Sequence, residues 1–252
     1  MQRIILKVGS AVLTQDGKIA HRRLDNLVAL IIELKKQYDV ILVSSGAVAA
    51  GYTVLNLDKK VVANKQALAS IGQPLLIQTY SLEFAKYEKL CSQVLLEASI
   101  FNDEIRLSHA KQTIDTLLKN DIIPIVNEND VTAVDELVFG DNDQLAAYMS
   151  HYFNAYLLVI LTDIDGYYDD NPHTNKDAKL LKTVSNINPK ELEAHSSANS
   201  EFATGGIVTK LKAANFLLTH NKRMFLTSGF NLEYIKSFLI ENKHINGTLF
   251  TK

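Results

Sequence analysis

The chain has a single cysteine, Cys91, in 252 residues. It therefore closes no internal disulfide, and no neighbouring ligands give it the spacing of a metal site. Such a cysteine reads as a small buried hydrophobe. No apolar run approaches the length that crosses a bilayer, and no polybasic run offers an anchor on an anionic surface, so no membrane association is expected. The first residues lack the charged, apolar, small-residue order of a signal peptide, because Arg3 and Lys7 lie inside a strand-like segment. The expectation is a cytoplasmic protein. An excess of positive charge is also missing: 26 Lys and Arg against 28 Asp and Glu leave a formal net charge of -2. That supplies no broad electrostatic footprint for nucleic acid. Internal repeats, low-complexity tracts and obvious linkers are absent too. So are the G-x-S-x-G nucleophile elbow, the H-E-x-x-H metal helix and the G-x-G-x-x-G dinucleotide turn, and the 7 histidines are scattered. What remains is an ordinary globular composition, 47% hydrophobic and 21% charged, long enough for one large α/β domain or two modest ones.

The apolar pattern alternates strands with helices. RIILKV at 3–8 reads as a first strand, broken by Gly9-Ser10. Lys7 is the anomaly in it. A lysine near the end of a buried parallel strand is costly to desolvate unless an anion meets it; the other reading is a lysine snorkelling from an edge strand to solvent. Between residues 21 and 37, Leu24, Leu27, Val28, Ile31 and Leu34 recur on one helical face, and DVILV at 39–43 is a second strand. Strand, helix and strand with a small-residue turn is the unit of a parallel sheet. SSGAVAAG then follows. Its glycine spacing is that of a phosphate-binding P-loop, but Tyr52 and Thr53 stand where lysine and a hydroxyl residue are required, so it is not one. It does offer Ser44, Ser45 and Gly46 at a strand's carboxyl end, either as anion-binding hydroxyls and amides or as plain turn residues. Residues 65–87 are helical in pattern, with Gly72 and Pro74 expected to break or kink them. Further strands are expected at 93–96, 122–126, 156–161, 223–227 and 248–250. Helices are expected at 108–120, 145–153 and 207–219, with another beginning near 231. The polar segment 169–200 reads as a surface excursion.

Chemistry concentrates at the ends of these strands. The loop NENDVTAVDELVFGDND at 127–143 gathers Glu128, Asp130, Asp135, Glu136, Asp141 and Asp143. So negative a cluster repels phosphate unless cations stand opposite it. Lys7 and Lys210, from opposite ends of the chain, are the candidates to balance it. Thr204-Gly205-Gly206 opens a helix with Lys210 near its first turn, where the backbone can approach an anion closely. The strand at 156–161 ends in Thr162-Asp163-Ile164-Asp165-Gly166, and Tyr167-Tyr168 after it are either a wall for a flat ring or packing. Lysines with carboxylates and free amides suit phosphoryl transfer, in which catalysis is mostly positioning and charge stabilisation. A carboxylate acceptor, with a pKa of about 4, would need no general base.

The stretches KVGS at 7–10, SSGAVAAG at 44–51, NEND at 127–130, FGDND at 139–143, LTDIDGYY at 161–168 and TGGIVTK at 204–210 resemble the amino acid kinase family. The resemblance covers essentially the whole chain in order. The NEND and FGDND pair and the TGG-x-x-TK loop resemble its glutamate-phosphorylating branch in particular. It implies an α/β three-layer α-β-α sandwich with a central, mainly parallel eight-stranded sheet. It also implies one kinase domain over 1–252, whose N-terminal part binds glutamate and whose part from about residue 150 binds ATP. The implied reaction takes ATP with Mg2+ as phosphate source and L-glutamate as acceptor, and gives γ-glutamyl phosphate, the first intermediate of proline biosynthesis. Carried over by position, Lys7 and Lys210 neutralise the transferring phosphoryl group and Asp143 holds them. Ser45, Asp130 and Asn142 match the glutamate-binding positions; physically, Asp130 suits the substrate ammonium, and Asn142 with nearby backbone amides suits its α-carboxylate. Lys7, Thr162, Asp163, Thr204, Gly205, Gly206, Ile207, Val208, Thr209 and Lys210 match the ATP site. No metal ligand is assigned, Mg2+ being expected to come with ATP. Implied partners are proline as feedback inhibitor, a glutamyl phosphate reductase, and further copies of the chain in a dimer or tetramer. Many relatives carry a C-terminal domain of the PUA type, and a chain ending at Lys252 is expected to lack it. Two other readings stand beside this one. An N-acetylglutamate or aspartate kinase shares the fold, but a neutralised amino group would leave Asp130 without a partner. A non-catalytic amino acid or nucleotide sensor would be marked by loss of a lysine or of Asp143, and all three are present.

Overall fold

The computed structural model of the chain describes residues 1–132, 142–172, 174–193 and 206–252. Strand β1 (Gln2–Val8) enters the interior at once, with Ile4, Ile5, Leu6 and Val8 fully buried. A short helix α1 (Ser10–Leu13) and a small hairpin of β2 (Thr14–Gln15) and β3 (Lys18–Ile19) lead into α2 (His21–Leu34). Then come β4 (Tyr38–Ser44), α3 (Ala47–Tyr52), α4 (Val62–Ala85) and β5 (Cys91–Leu96). A 3-10 turn at Ala98–Asn102 precedes α5 (Glu104–Lys119) and β6 (Ile123–Glu128). The second half runs through α6 (Asn142–Tyr152), β7 (Leu157–Thr162), β8 (Thr183–Val184), α7 (Pro189–Glu193), α8 (Gly206–Thr219), β9 (Met224–Ser228), α9 (Glu233–Leu239) and β10 (Thr248–Phe250).

Among the described residues the main sheet has 8 strands in the order β5-β6-β4-β1-β7-β9-β10-β8. Its pairs are parallel except β9 with β10. Side chains alternate between its faces, so each apolar strand is covered twice. Ile5, Ile41, Val43 and Ile160 pack with Leu107 and Ile114 of α5, Leu145 of α6 and Leu211 of α8. Ile4, Leu6, Leu42 and Val159 pack on the other side with Leu24 and Ile31 of α2, Leu76 of α4 and Ile235 of α9. This is the three-layer sandwich that the resemblance implies. Lys7, two residues after Ile5, shares the α6 and α8 face. None of the described helices is long and apolar enough to cross a membrane.

Two local expectations give way. Helix α4 runs unbroken through Gly72 and Pro74. A Cβ on Gly72 would stand 1.8 Å from the Ala47 carbonyl oxygen, and one on Gly51 would stand 1.9 Å from that of Leu68. The two glycines let α3 and α4 touch backbone to backbone, and that contact holds the helix across the hydrogen bond Pro74 cannot make. Pro74 is on the exposed side, where the Ser70 carbonyl can turn to water. The segment at 169–200, in turn, is more than an excursion, because it contributes β8, which pairs with β10, and a bridge between Tyr168 and Leu180. A two-residue strand has no periodicity for a sequence to display.

Candidate active site

Lys7 sits one residue from the carboxyl end of β1, opposite Val43 of β4 and Ile160 of β7. The three strands end level, and the chain turns away from them through Gly9, whose N–H donates to the Leu161 carbonyl at 3.0 Å, and Ser45, whose N–H donates to that of Val8 at 3.2 Å. Gly46 follows with φ 112, a left-handed conformation natural to glycine, and opens α3. The first turn of α6 brings Asp143 over this edge with 0% exposure. Lys7 Nζ pairs with its Oδ1, and Lys210 Nζ with its Oδ2 at 3.0 Å. Both lysines are themselves buried, at 3% and 6% exposure. Thr209 Oγ1 also donates to Oδ2 at 3.0 Å, and Lys210 Nζ donates to the Gly206 carbonyl at 2.9 Å. Gln144 Nε2 ties α6 to α8 through the Thr209 carbonyl at 3.1 Å.

Burial by itself would push the Asp143 carboxyl up; the charges of Lys7 and Lys210, and their hydrogen bonds, outweigh it and hold the group down at about 2. Asp143 is thus a carboxylate at neutral pH and a poor proton acceptor. Two ammonium groups gathered on one buried carboxylate, in a site where water screens little, are placed to meet an anionic transferring group.

A line of amides flanks the lysines. Asn142 Nδ2 donates to Ser45 Oγ at 2.9 Å and to Asn127 Oδ1 at 2.7 Å, with the Ser44 carbonyl at 3.4 Å. Asn127 Nδ2 in turn donates to Gln73 Oε1 at 2.9 Å. Ser44 Oγ and the buried Tyr80 hydroxyl hydrogen-bond at 2.9 Å. Asp130 is half-buried and makes no hydrogen bond or ion pair with a described residue; burial pushes its carboxyl up, against the charge of Lys65.

Lys7, Lys210, Asp143, Asn142, Ser45 and Thr209 therefore fall at one edge of the sheet, as do Thr162 and Asp163 at the end of β7. There Thr162 Oγ1 donates to Asp163 Oδ1 at 2.8 Å, and no hydrogen bond joins either to the lysines. Gly206, Ile207 and Val208 form the start of α8. Thr204, Gly205, Asp135, Glu136 and Asp141 lie outside the described residues. Of the two tyrosines, Tyr167 is engaged in packing: its hydroxyl donates to Glu191 at 2.7 Å and its ring lies 6.1 Å from that of Phe250. Sequence reasoning missed Gln73, Tyr80 and Gln144, and gave Asn127 no role although it lies within NEND. Among the described residues no group of three His, Cys, Asp or Glu side chains is placed to hold a metal ion.

Residues 2–228 match the amino acid kinase family. The chain belongs to that family. It is 51% identical over 250 residues to a glutamate 5-kinase of Leishmania donovani, covering 99% of this chain and 95% of that one. It is also 51% identical over 257 residues to a glutamate 5-kinase of Wolinella succinogenes, covering 100% and 98%. Among solved structures, carbamate kinase from Giardia lamblia bound to AMP-PNP superposes with a TM-score of 0.68 at 16% identity, covering 100% of this chain and 98% of that one. That likeness concerns the fold alone, and it is the fold of the family.

Proposed function

We propose that this amino acid kinase transfers the γ-phosphoryl group of ATP to the γ-carboxylate of L-glutamate, giving L-glutamyl 5-phosphate and ADP, the first step of proline biosynthesis. The observation that carries the chemistry is the buried pair of lysines on Asp143 at the carboxyl ends of the central strands. The acceptor is supported by the relatives' shared activity at 51% identity. In this reading a γ-carboxylate oxygen forms a bond to phosphorus as the bond from phosphorus to the bridging oxygen of ADP breaks. No proton moves, since the acceptor is ionised at neutral pH. Lys7 and Lys210 face the oxygens of the transferring group, and Asp143 keeps the two cations together where charge develops.

Ser45, Asp130 and Asn142 then bind glutamate, while Thr162, Asp163 and the segment 204–210 bind the nucleotide. The NH2 of Asn142 is already taken up by its neighbours, and its buried Oδ1 hydrogen-bonds to none of the described residues. That oxygen is an acceptor, so it suits the substrate ammonium beside Asp130; the α-carboxylate falls instead to donors of the backbone. In this reading the α-carboxylate stays with the backbone amides expected to share it, and Asn142 turns to the ammonium group. Mg2+ is expected to accompany ATP, where it would neutralise charge on the phosphates. The family reading also extends to proline as feedback inhibitor, a reductase that consumes the acyl phosphate, assembly as a dimer or tetramer, and a cytoplasmic location.

The test is ADP release with Mg-ATP and L-glutamate, N-acetyl-L-glutamate or L-aspartate, with hydroxylamine present to trap acyl phosphate. Turnover and hydroxamate with L-glutamate alone are expected. Turnover with another acid would overturn the acceptor, and binding without turnover would make the protein a sensor.

A further inference from the structure

The amides behind Asn142 end on a helix that the reaction does not otherwise use. Gln73 projects from α4 toward the sheet, on the face that carries Leu76, Tyr80 and Phe84, and is 8% exposed. A buried amide is costly unless hydrogen-bonded. Its Oε1 accepts from Asn127 Nδ2 at 2.9 Å. Asn127 Oδ1 accepts in turn from the Glu128 backbone N–H at 2.9 Å and from Asn142 Nδ2 at 2.7 Å. A primary amide has donors on one side and an acceptor on the other, so each link sets the direction of the next. The Glu128 N–H can only donate, so it sets the direction of Asn127, and the Gln73 oxygen takes up the NH2 that this direction leaves on the other side. That orientation turns the NH2 of Asn142 inward, toward Asn127 and Ser45, and leaves Asn142 Oδ1 as the group that remains.

We propose that Gln73 is a positioning residue for the amino acid acceptor, bracing the Asn127 amide in the direction that the Glu128 N–H requires, so that the Asn142 amide is held with an acceptor oxygen rather than a donor toward the substrate's ammonium group. The proposal rests on the reading that Asn142 belongs to the acceptor site. Backbone contact between α4 and α3 at Gly72 and Ala47 sets the helix at the distance from which this side chain reaches Asn127. Gln73 has no hydrogen bond to Lys7, Lys210 or Asp143. Its loss therefore acts on acceptor binding and not on the charge of the transferring group.

Gln73→Met keeps the length and volume of the side chain and removes the oxygen. KM for L-glutamate is expected to rise about tenfold, with kcat and KM for ATP within about twofold of wild type. Gln73→Glu keeps an acceptor oxygen at the same reach and is expected to restore KM to within about threefold of wild type. Gln73→Asn draws the oxygen back by one methylene and is expected to behave like the methionine variant, deciding the matter if that variant does not fold by circular dichroism. An unchanged KM for glutamate in the Met and Asn variants overturns the proposal. An equal rise in both KM values, or failure of the Glu variant to restore binding, does the same. Wild type is assayed alongside with the three acids. If it turns over a different one, the proposed acceptor fails, while the variant-to-wild-type ratio measured with that acid still decides on Gln73. If it binds an acid without turnover, the ratio of dissociation constants takes its place.

Discussion

Asp143 has no exposed surface and a lysine ammonium on each carboxylate oxygen. Its folded value, about 2, lies below the ordinary one, so the ionised group contributes stability at every pH above the ordinary carboxylate range. That contribution is lost as pH falls from about 4 toward the folded value. Asp143→Asn keeps the shape and removes the carboxylate that both buried ammonium groups meet. It is expected to cost about 3–5 kcal/mol and to lower kcat by about a hundredfold or more. Melting curves of the two proteins should stay apart by a constant margin between about pH 8 and 5 and converge below about pH 4; a margin that persists in acid would show that the carboxylate's charge is not what matters. At this scale the lysines were legible and the glutamine was not. A charge inside an apolar strand conflicts with its surroundings, whereas a glutamine on a half-exposed helix conflicts with nothing until the face it occupies is known.

The pairing of α3 with α4 depends on two hydrogens in place of two methyl groups. Gly72→Ala would set a carbon 1.8 Å from the Ala47 carbonyl oxygen and 2.3 Å from the Gly51 nitrogen. Both atoms are main chain, so neither can rotate aside and the helices must separate. The expected cost is about 3 kcal/mol or more, read as a lower urea midpoint with unchanged slope; a loss below about 0.5 kcal/mol would mean that the helices are not seated as described. Gly72 and Pro74 together look like a helix terminus in sequence, since both residues weaken an isolated helix. What overrides them is the surface that α4 buries against the sheet through Leu76, Tyr80 and Phe84, a term that no window of local sequence contains. Helices α2 and α5 were legible because their apolar spacing and their tertiary packing agree.

Across the whole molecule β1 divides the sheet, with β4, β6 and β5 on one side and β7, β9, β10 and β8 on the other. Lys7 stands on the dividing strand. Ser45 and Asn127 end strands or turns of the first side, and Thr162 ends β7 of the second. Ligands of open parallel sheets gather at the carboxyl ends where neighbouring connections part, and β1 is such a place. The proposed division of labour, with glutamate bound by the N-terminal part and ATP by the part from about residue 150, follows these two sides. Hydrogen exchange should locate it: a non-hydrolysable ATP analogue is expected to slow exchange at 162–166 and 206–210, and L-glutamate at 44–52 and 127–130. The same segments slowed by both ligands would overturn the division.

The sequence by itself determined the strands and helices whose apolar period is long enough to see, the turns at Gly9 and Gly46, and the residues able to handle a phosphoryl group. These follow from interactions within a few residues, where side-chain spacing and backbone conformation act directly. Tertiary structure decided what meets what. It brought Lys7 and Lys210 to one carboxylate and turned Asn127 toward Gln73. It also carried α4 through a glycine and a proline, and took the two residues of β8 into the sheet. Each of these joins positions far apart in the chain. Their energies, the attraction of buried charges and the close approach of helix backbones, exist only once the sheet has assembled and water has been excluded from its carboxyl edge.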